Sequence, residues 1–258
     1  MEVHGRVPVA ECTTEGEAVP RMLIAGSSRG IGASLARLAR SQGWEVILHG
    51  RTRSQALLRL AEELGAPAIA CDGTDRSAVH SALVEAEVLD GVDALVNSLG
   101  AVAASSILTD SDDLWQQQYA ANVLAPLHFC QEILPGMLRA GSGTVVNVSS
   151  IRGYPTLSEA EVAAYSAAKA GLINLTAGLA RAYAPTVRVN CVAPGFTLTD
   201  MSQTWSDRVR SAVCTALLGR AADPAEIAES ILFLASPRSS FITGQTLLVD
   251  GGLELATS

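Results

Sequence analysis

Tyr165 and Lys169 stand four residues apart in the run Tyr165-Ser166-Ala167-Ala168-Lys169. On a helix, that spacing puts both side chains on one face. An ammonium beside a phenol favours the phenolate and draws a tyrosine pKa down from about 10. A tyrosine so placed can serve as a general acid or base. Taken alone, such a pair is usually a surface pair. Here Lys169 is the only lysine among 258 residues, and every other strong cation is an arginine.

A second group of residues suits a phosphate. Gly26-Ser27-Ser28-Arg29-Gly30-Ile31-Gly32 places three glycines between an apolar run and a helical pattern. A turn of this kind lets backbone approach a pyrophosphate, whose charge then rests on a helix N-terminus. The spacing is G-x-x-x-G-x-G rather than the commoner G-x-G-x-x-G, and a tight turn without a ligand is the alternative. The next apolar run ends Leu48-His49-Gly50-Arg51-Thr52-Arg53, with no acid. An acid there would bind a ribose hydroxyl and repel a 2′-phosphate. Arg29 and Arg51 instead suit a 2′-phosphate, so NADPH is the expected cofactor. Two solvated arginines are the bland alternative.

The elements that must position these groups alternate in type. Strands are expected at 21–25, 45–48, 68–70, 94–96, 144–148, 187–192 and 246–249. Helices are expected at 31–41, 55–64, 77–86, 111–139 (bent or broken near Pro126) and 162–183. A further helix opens at Asp223, with a cap, Pro224 just inside and Glu226 three residues on. Strands apolar on both faces, each followed by a helix, imply a parallel sheet covered on both sides. The reading is one doubly wound α/β domain of about seven strands over 21–258, behind a loose polar leader at 1–20.

Composition narrows the function classes. Hydrophobic residues make up 48% and charged residues 17%, enough apolar material for a sizeable core. Net charge is -8, the arginines are scattered and aromatics are 4%, which disfavours nucleic acid as a partner. No apolar run approaches a membrane span, and residues 1–20 hold four glutamates and no signal-like apolar core. A cytoplasmic protein is therefore expected. Cys12, Cys71, Cys130, Cys191 and Cys214 form no C-x-x-C pair, and His4, His49, His80 and His128 stand singly. No metal site is expected.

With these motifs in order, the chain resembles the short-chain dehydrogenase/reductase family, in particular its 3-oxoacyl-[acyl-carrier-protein] reductases. The resemblance spans residues 21–252 and implies a Rossmann fold. Gly26, Gly30 and Gly32 match the cofactor turn, with Ser28, Arg29 and Ile31 between them. Asp72, followed by Gly73, matches the adenine-contacting aspartate. Asn97 to Gly100 matches the N-N-A-G motif, and Asn122 the helix asparagine. Ser150 matches the catalytic serine, and Tyr165 with Lys169 the Y-x-x-x-K motif. Pro194-Gly195, with Thr197 and Thr199, matches the segment bordering the nicotinamide. The resemblance implies that Tyr165 protonates a substrate carbonyl oxygen and that Ser150 polarises it. Lys169 would hold the nicotinamide ribose and lower the Tyr165 pKa, and Asn122 would position a relay water.

Several positions depart from the family pattern. Residues 97–100 read Asn-Ser-Leu-Gly, so Leu99 is bulkier than the usual alanine, and Gly73 is also unusual. The stretch 151–164 is about two residues longer than is common in the family, and it borders the substrate pocket there. Arg152 and Tyr154 from that stretch, and Trp205 from the flap 202–219, are the candidate substrate contacts. The expected substrate is a small-molecule or acyl-thioester ketone, in housekeeping or specialised biosynthesis. Rival readings are an alcohol dehydrogenase, an enoyl reductase and a non-catalytic dinucleotide sensor. Enoyl-reducing relatives space Tyr and Lys more widely, and sensors usually lose one of the two. The resemblance also implies a homo-oligomer, a tetramer or else a dimer, built through 111–139, 162–183 and the apolar segment 241–255.

Overall fold

The computed structural model describes residues 19–200, 202 and 205–257. The first eighteen residues of the expected leader lie outside these. Seven strands form one sheet: β1 (Arg21–Ala25), β2 (Glu45–Gly50), β3 (Ala68–Ala70), β4 (Ala94–Asn97), β5 (Gly143–Val148), β6 (Val187–Pro194) and β7 (Thr246–Val249). Their order is β3-β2-β1-β4-β5-β6-β7, and every neighbouring pair is parallel. The chain runs outward from β1 to β3 and returns to place β4 against the other side of β1. The reversal opens a crevice at the carboxyl ends of β1 and β4, where ligands of such sheets bind.

Alternation along each strand feeds two cores. Met22 and Ile24 of β1 join Leu35, Val46, Leu48, Val96, Ile227 and Ile231 on one face. Leu23 and Ala25 join Ile47, Leu95, Phe129, Ile133 and Val145 on the other. The helices covering the faces are α1 (Gly30–Ser41), α2 (Gln55–Leu64), α3 (Arg76–Glu85), α4 (Asp112–Tyr119), α5 (Ala125–Ala140), α6 (Ala163–Tyr183), α7 (Asp207–Val213), α8 (Pro224–Ala235) and α9 (Leu253–Thr257). At α8 the expected start is realised as a capping box between Asp223 and Glu226. Among the described residues, no helix is long and apolar enough to cross a membrane.

The helix expected over 111–139 is interrupted earlier than expected. A π-helical turn, Ala120–Leu124, separates α4 from α5. Pro126 follows the turn directly; the backbone of Leu124 and Ala125 is helical and the Ala125 N–H bonds the Ala120 carbonyl, so the missing N–H of Pro126 removes one bond from a continuous helix. The irregularity is the wider turn itself, and it carries Asn122.

Candidate active site

The carboxyl end of β5 and the first turns of α6 bring the proton-handling residues together. Ser149 Oγ donates to the Lys169 carbonyl at 2.8 Å and pins α6 to the strand end. Ser150 has an extended backbone; its Oγ accepts from the Arg152 N–H at 3.2 Å, and the hydroxyl lies close enough to the Tyr165 phenol to favour its charged form. Lys169 is buried. Its Nζ donates to the Val148 carbonyl at 2.9 Å and the Leu99 carbonyl at 3.2 Å, and lies 5.8 Å from the Tyr165 ring centroid. Two carbonyl oxygens therefore hold the ammonium between β4 and β5.

Burial decides the ionisation of this group. It pushes the Tyr165 phenol above its ordinary value, and the Ser150 hydroxyl and the Arg152 charge only partly offset that. The expectation that a neighbouring cation brings Tyr165 down is thus overridden by desolvation. Arg152 is a cation that opposes the effect of burial on Tyr165. Lys169 is itself held down to about 8 by burial. At neutral pH the site presents a protonated phenol beside a hydroxyl.

Asn122 reaches the same place from the π-helical turn. Its Nδ2 donates to the carbonyls of Gln118 and Ala101, both at 2.9 Å, and its buried Oδ1 has no partner. A Cβ on Gly100 would lie 2.8 Å from that Oδ1 and 3.1 Å from Lys169 Nζ. Residue 100 must lack a side chain for an unspent acceptor and an ammonium to border one common space.

The phosphate turn follows β1. Gly26 has φ +87°, and a Cβ there would sit 2.6 Å from the Ser98 carbonyl oxygen; one on Gly32 would sit 2.2 Å from the Gly26 oxygen. Close approach of the chain to itself therefore dictates these two glycines, which the sequence alone attributes to a ligand. α1 begins behind Arg29, whose backbone is extended and whose side chain makes no capping bond, and no acid lies in the first helical turn. The leading N–H groups of α1 thus have no side-chain cap, the donor set an anion requires. Ser28 lies beside Gly50, half-buried Ile31 packs on the core, and Thr199 lays its methyl against Gly30. Gly195 donates to the Val249 carbonyl at 2.9 Å, and Thr197 Oγ1 donates to the Gly195 carbonyl at 3.1 Å. These bonds tie the segment after Pro194 to the end of β7, and Thr199 brings it to Gly30 of the turn after β1.

The corner at the ends of β2 and β3 differs from expectation in one respect. β2 ends without an acid, yet Asp72, from the end of β3, pairs with Arg51 at 3.2 Å. Asp72 also accepts from the N–H and hydroxyl of Thr74, and these bonds with the Arg51 charge hold its carboxyl below the usual range. Arg29 and Arg51 are exposed. Asn97 points elsewhere: its buried Nδ2 donates to Asn147 Oδ1 at 2.9 Å and to the Pro126 carbonyl at 3.3 Å. Asn147 in turn donates to Thr176 Oγ1 at 2.9 Å. The Asn97 side chain is thus a strut between β4, β5 and α5, which Asn147 extends to α6, a role that needs partners distant in sequence.

At the substrate end, Arg152 pairs with Glu159 at 2.9 Å and donates to the Leu157 carbonyl at 2.8 Å. Its guanidinium stands 5.5 Å over the Phe196 ring, which meets Trp205 edge-on at 5.5 Å. Tyr154 is half-buried beside them in sequence. The longer loop thus supplies its own carboxylate to Arg152, a pairing that residue types alone do not reveal. His49, a solitary histidine in the sequence, is buried at the turn and bonded through both ring nitrogens.

A family model described as enoyl-(acyl carrier protein) reductase matches residues 25–254. The 3-oxoacyl-[acyl-carrier-protein] reductase of Vibrio cholerae serotype O1 is 36% identical over 236 residues, covering 90% of this chain and 96% of the relative. The chain belongs to the short-chain dehydrogenase/reductase family. Two solved members bear out the fold. A 3-oxoacyl-[acyl-carrier protein] reductase from Brucella melitensis with bound NAD has TM-score 0.83 and 30% identity, covering 97% of this chain and 99% of that one. A gluconate 5-dehydrogenase from Burkholderia cenocepacia J2315, in complex with NADP and tartrate, has TM-score 0.84 and 29% identity, covering 91% and 94%. The family assigns the chain to the oxidoreductases, and these two solved members hold NAD in one case and NADP in the other.

Proposed function

We propose that the chain reduces a ketone, a β-ketoacyl thioester or a related carbonyl, with NADPH. The neighbouring Ser150 and Tyr165 hydroxyls carry this reading, because burial keeps the phenol in its proton-donating form. The residues present fit a dinucleotide. α1 offers amides without a side-chain cap, Gly100 leaves space over Lys169, and Asn122 Oδ1 is an acceptor still to be used. Residues 26–32 and the start of α1 would hold the pyrophosphate, Arg29 and Arg51 a 2′-phosphate, and Lys169 the nicotinamide ribose. When bound, the cofactor supplies the hydride.

Ser150 and Tyr165 together would hold the substrate oxygen, with the Tyr165 proton passing to it as negative charge develops. The buried Lys169 ammonium would steady the phenolate left behind. Asn122 Oδ1 would anchor the water that returns the proton. Tyr165 and Lys169 lie one turn apart on α6, the spacing of ketone-reducing members and not the wider one of enoyl reductases. The same site can run as an alcohol dehydrogenase. The likeness to a gluconate 5-dehydrogenase supports that second reading.

The test is oxidation of NADPH, followed by absorbance, with β-keto thioesters, cyclic ketones and quinones. NADH runs in parallel and Tyr165→Phe is the control. Turnover with NADPH, weak with NADH and lost in the variant, is the expected result. NADPH binding without turnover of any ketone, but with reduction of NADP+ or NAD+ by a polyol, would replace this reading by the second.

A further inference from the structure

The His49 side chain is 1% exposed, and its two ring nitrogens face opposite kinds of partner. Nδ1 lies 3.2 Å from the Gly26 backbone nitrogen, a donor, and Nε2 lies 3.0 Å from the Cys71 carbonyl oxygen, an acceptor. These partners assign the neutral tautomer with its hydrogen on Nε2. Burial agrees, holding the imidazole down to about 4. The ring stands edge-on to Phe129, with centroids 4.7 Å apart, so it cannot swing away from either partner without leaving that contact.

The main chain of the same residue doubles the tie. Its carbonyl accepts from the N–H groups of Gly26 at 3.2 Å and Ser27 at 2.8 Å, and its N–H donates to Ser27 Oγ at 2.9 Å. The Gly26 N–H is therefore shared between the carbonyl and the imidazole of one residue. The atoms joined lie at the ends of three strands, and each precedes a residue of the cofactor reading. Gly26 opens the phosphate turn, Arg51 follows His49 by two residues, and Asp72 follows Cys71 directly. The Arg51–Asp72 ion pair closes the same corner on the outside.

We propose that His49 is a positioning residue of the dinucleotide site: its imidazole fixes the phosphate turn at a set distance from the Arg51–Asp72 corner. This rests on the nucleotide reading above. An aliphatic side chain of similar volume would fill the space but give up both ring hydrogen bonds. The turn and the corner could then drift apart, and a ligand that must touch both would bind more weakly.

The experiment titrates NADPH into the full chain by fluorescence, alongside melting curves, for wild type and for His49→Asn, His49→Gln and His49→Phe. Asparagine can place an acceptor near the Nδ1 position and keep Gly26. Glutamine can reach Cys71 but leaves Gly26 without the side-chain acceptor. The expected result is a Kd raised about tenfold in the Phe variant and by a smaller factor in Asn and Gln, each of which keeps one of the two ring bonds, whatever the order of their melting temperatures. If the Phe variant does not fold, the Asn and Gln variants decide alone. Folded variants that keep the wild-type Kd overturn the proposal. A wild-type chain that binds neither NADPH nor NADH overturns the nucleotide reading itself, a distinct failure.

Discussion

Leu99 packs over Gly73: a Cβ added to Gly73 would lie 3.7 Å from Leu99 Cδ1 and 3.3 Å from both Ala125 Cβ and the Phe129 ring. Residues 73 and 99 are two positions where the chain departs from the family pattern. Their departures are opposite in size and meet at one point. The bulk missing at the end of β3 is supplied from the loop after β4, and Leu99 joins the core on that face of the sheet.

A side chain at 73 and the leucine at 99 should therefore compete for space. Gly73→Val is expected to cost about 1–3 kcal/mol through overpacking, and Leu99→Ala about 1–2 kcal/mol for half-buried volume. The double variant should recover about 1 kcal/mol relative to the sum. Urea denaturation of the four proteins measures this coupling; strict additivity would show that the two residues do not share the space.

Arg152 bears on Tyr165 through charge. Its guanidinium favours the phenolate, against the burial that opposes it. Removing the charge in Arg152→Gln should raise the Tyr165 pKa further. In the alcohol-oxidising direction, where the phenolate is the base, the acid-side midpoint of kcat/KM should move to higher pH. Glu159, paired with Arg152 at 2.9 Å, works in the opposite sense, so Glu159→Gln should move the midpoint down. Shifts of the same sign in both variants would show that only loop geometry has changed.

Cofactor choice is read at Arg51 and Arg29. Arg51 spends Nε on Asp72 and is otherwise 81% exposed, so its charge is available at the corner. Arg51→Ala and Arg29→Ala should each weaken NADPH by about tenfold while moving the NADH Kd by less than about twofold. Equal losses for the two nucleotides would mean that neither arginine meets the 2′-phosphate.

What the sequence made legible follows from local physics. β1, α2, β3 and β7 fall at their expected bounds, because an apolar run or a helical stripe ends there at a glycine, a proline or a cap. Tyr165 and Lys169 stand out in the sequence by type and spacing, and Ser150 through the family resemblance; the structure brings the three together at the end of β5 and the start of α6. The π-helical turn at Asn122 was not, since Ala-Ala-Asn-Val-Leu suits an ordinary helix as well and Pro126 drew the break toward itself. His49, Asn97 and Arg152 take their roles from partners 22 residues (Cys71), 50 residues (Asn147) and, in the last case, one ion pair within a loop of irregular turns. Periodicity does not encode contacts of those kinds.

Lys169 should cost stability in exchange for its place in the site. Burial holds its pKa at about 8, against an ordinary 10.5 in the unfolded chain. A lysine depressed in the folded state is unfavourable while it is charged in both states, so at pH 7 the cost is about 3 kcal/mol. Between pH 8 and 10.5 the unfolded chain keeps the proton that the folded chain releases, so this group makes stability rise with pH across that window. Lys169→Met removes the charge but leaves the Val148 and Leu99 carbonyls without their donor, an offset of about 1–3 kcal/mol each. The variant should therefore lie between about 1 kcal/mol more and about 3 kcal/mol less stable than wild type at pH 7 while losing turnover. The decisive reading is the difference between the two proteins, taken from urea midpoints at about pH 7.5, 8.5 and 9.5, where the other titrating groups cancel. Wild type should gain on the variant as pH rises. A constant difference would mean that the buried ammonium keeps an ordinary pKa, held by its two carbonyl partners against desolvation.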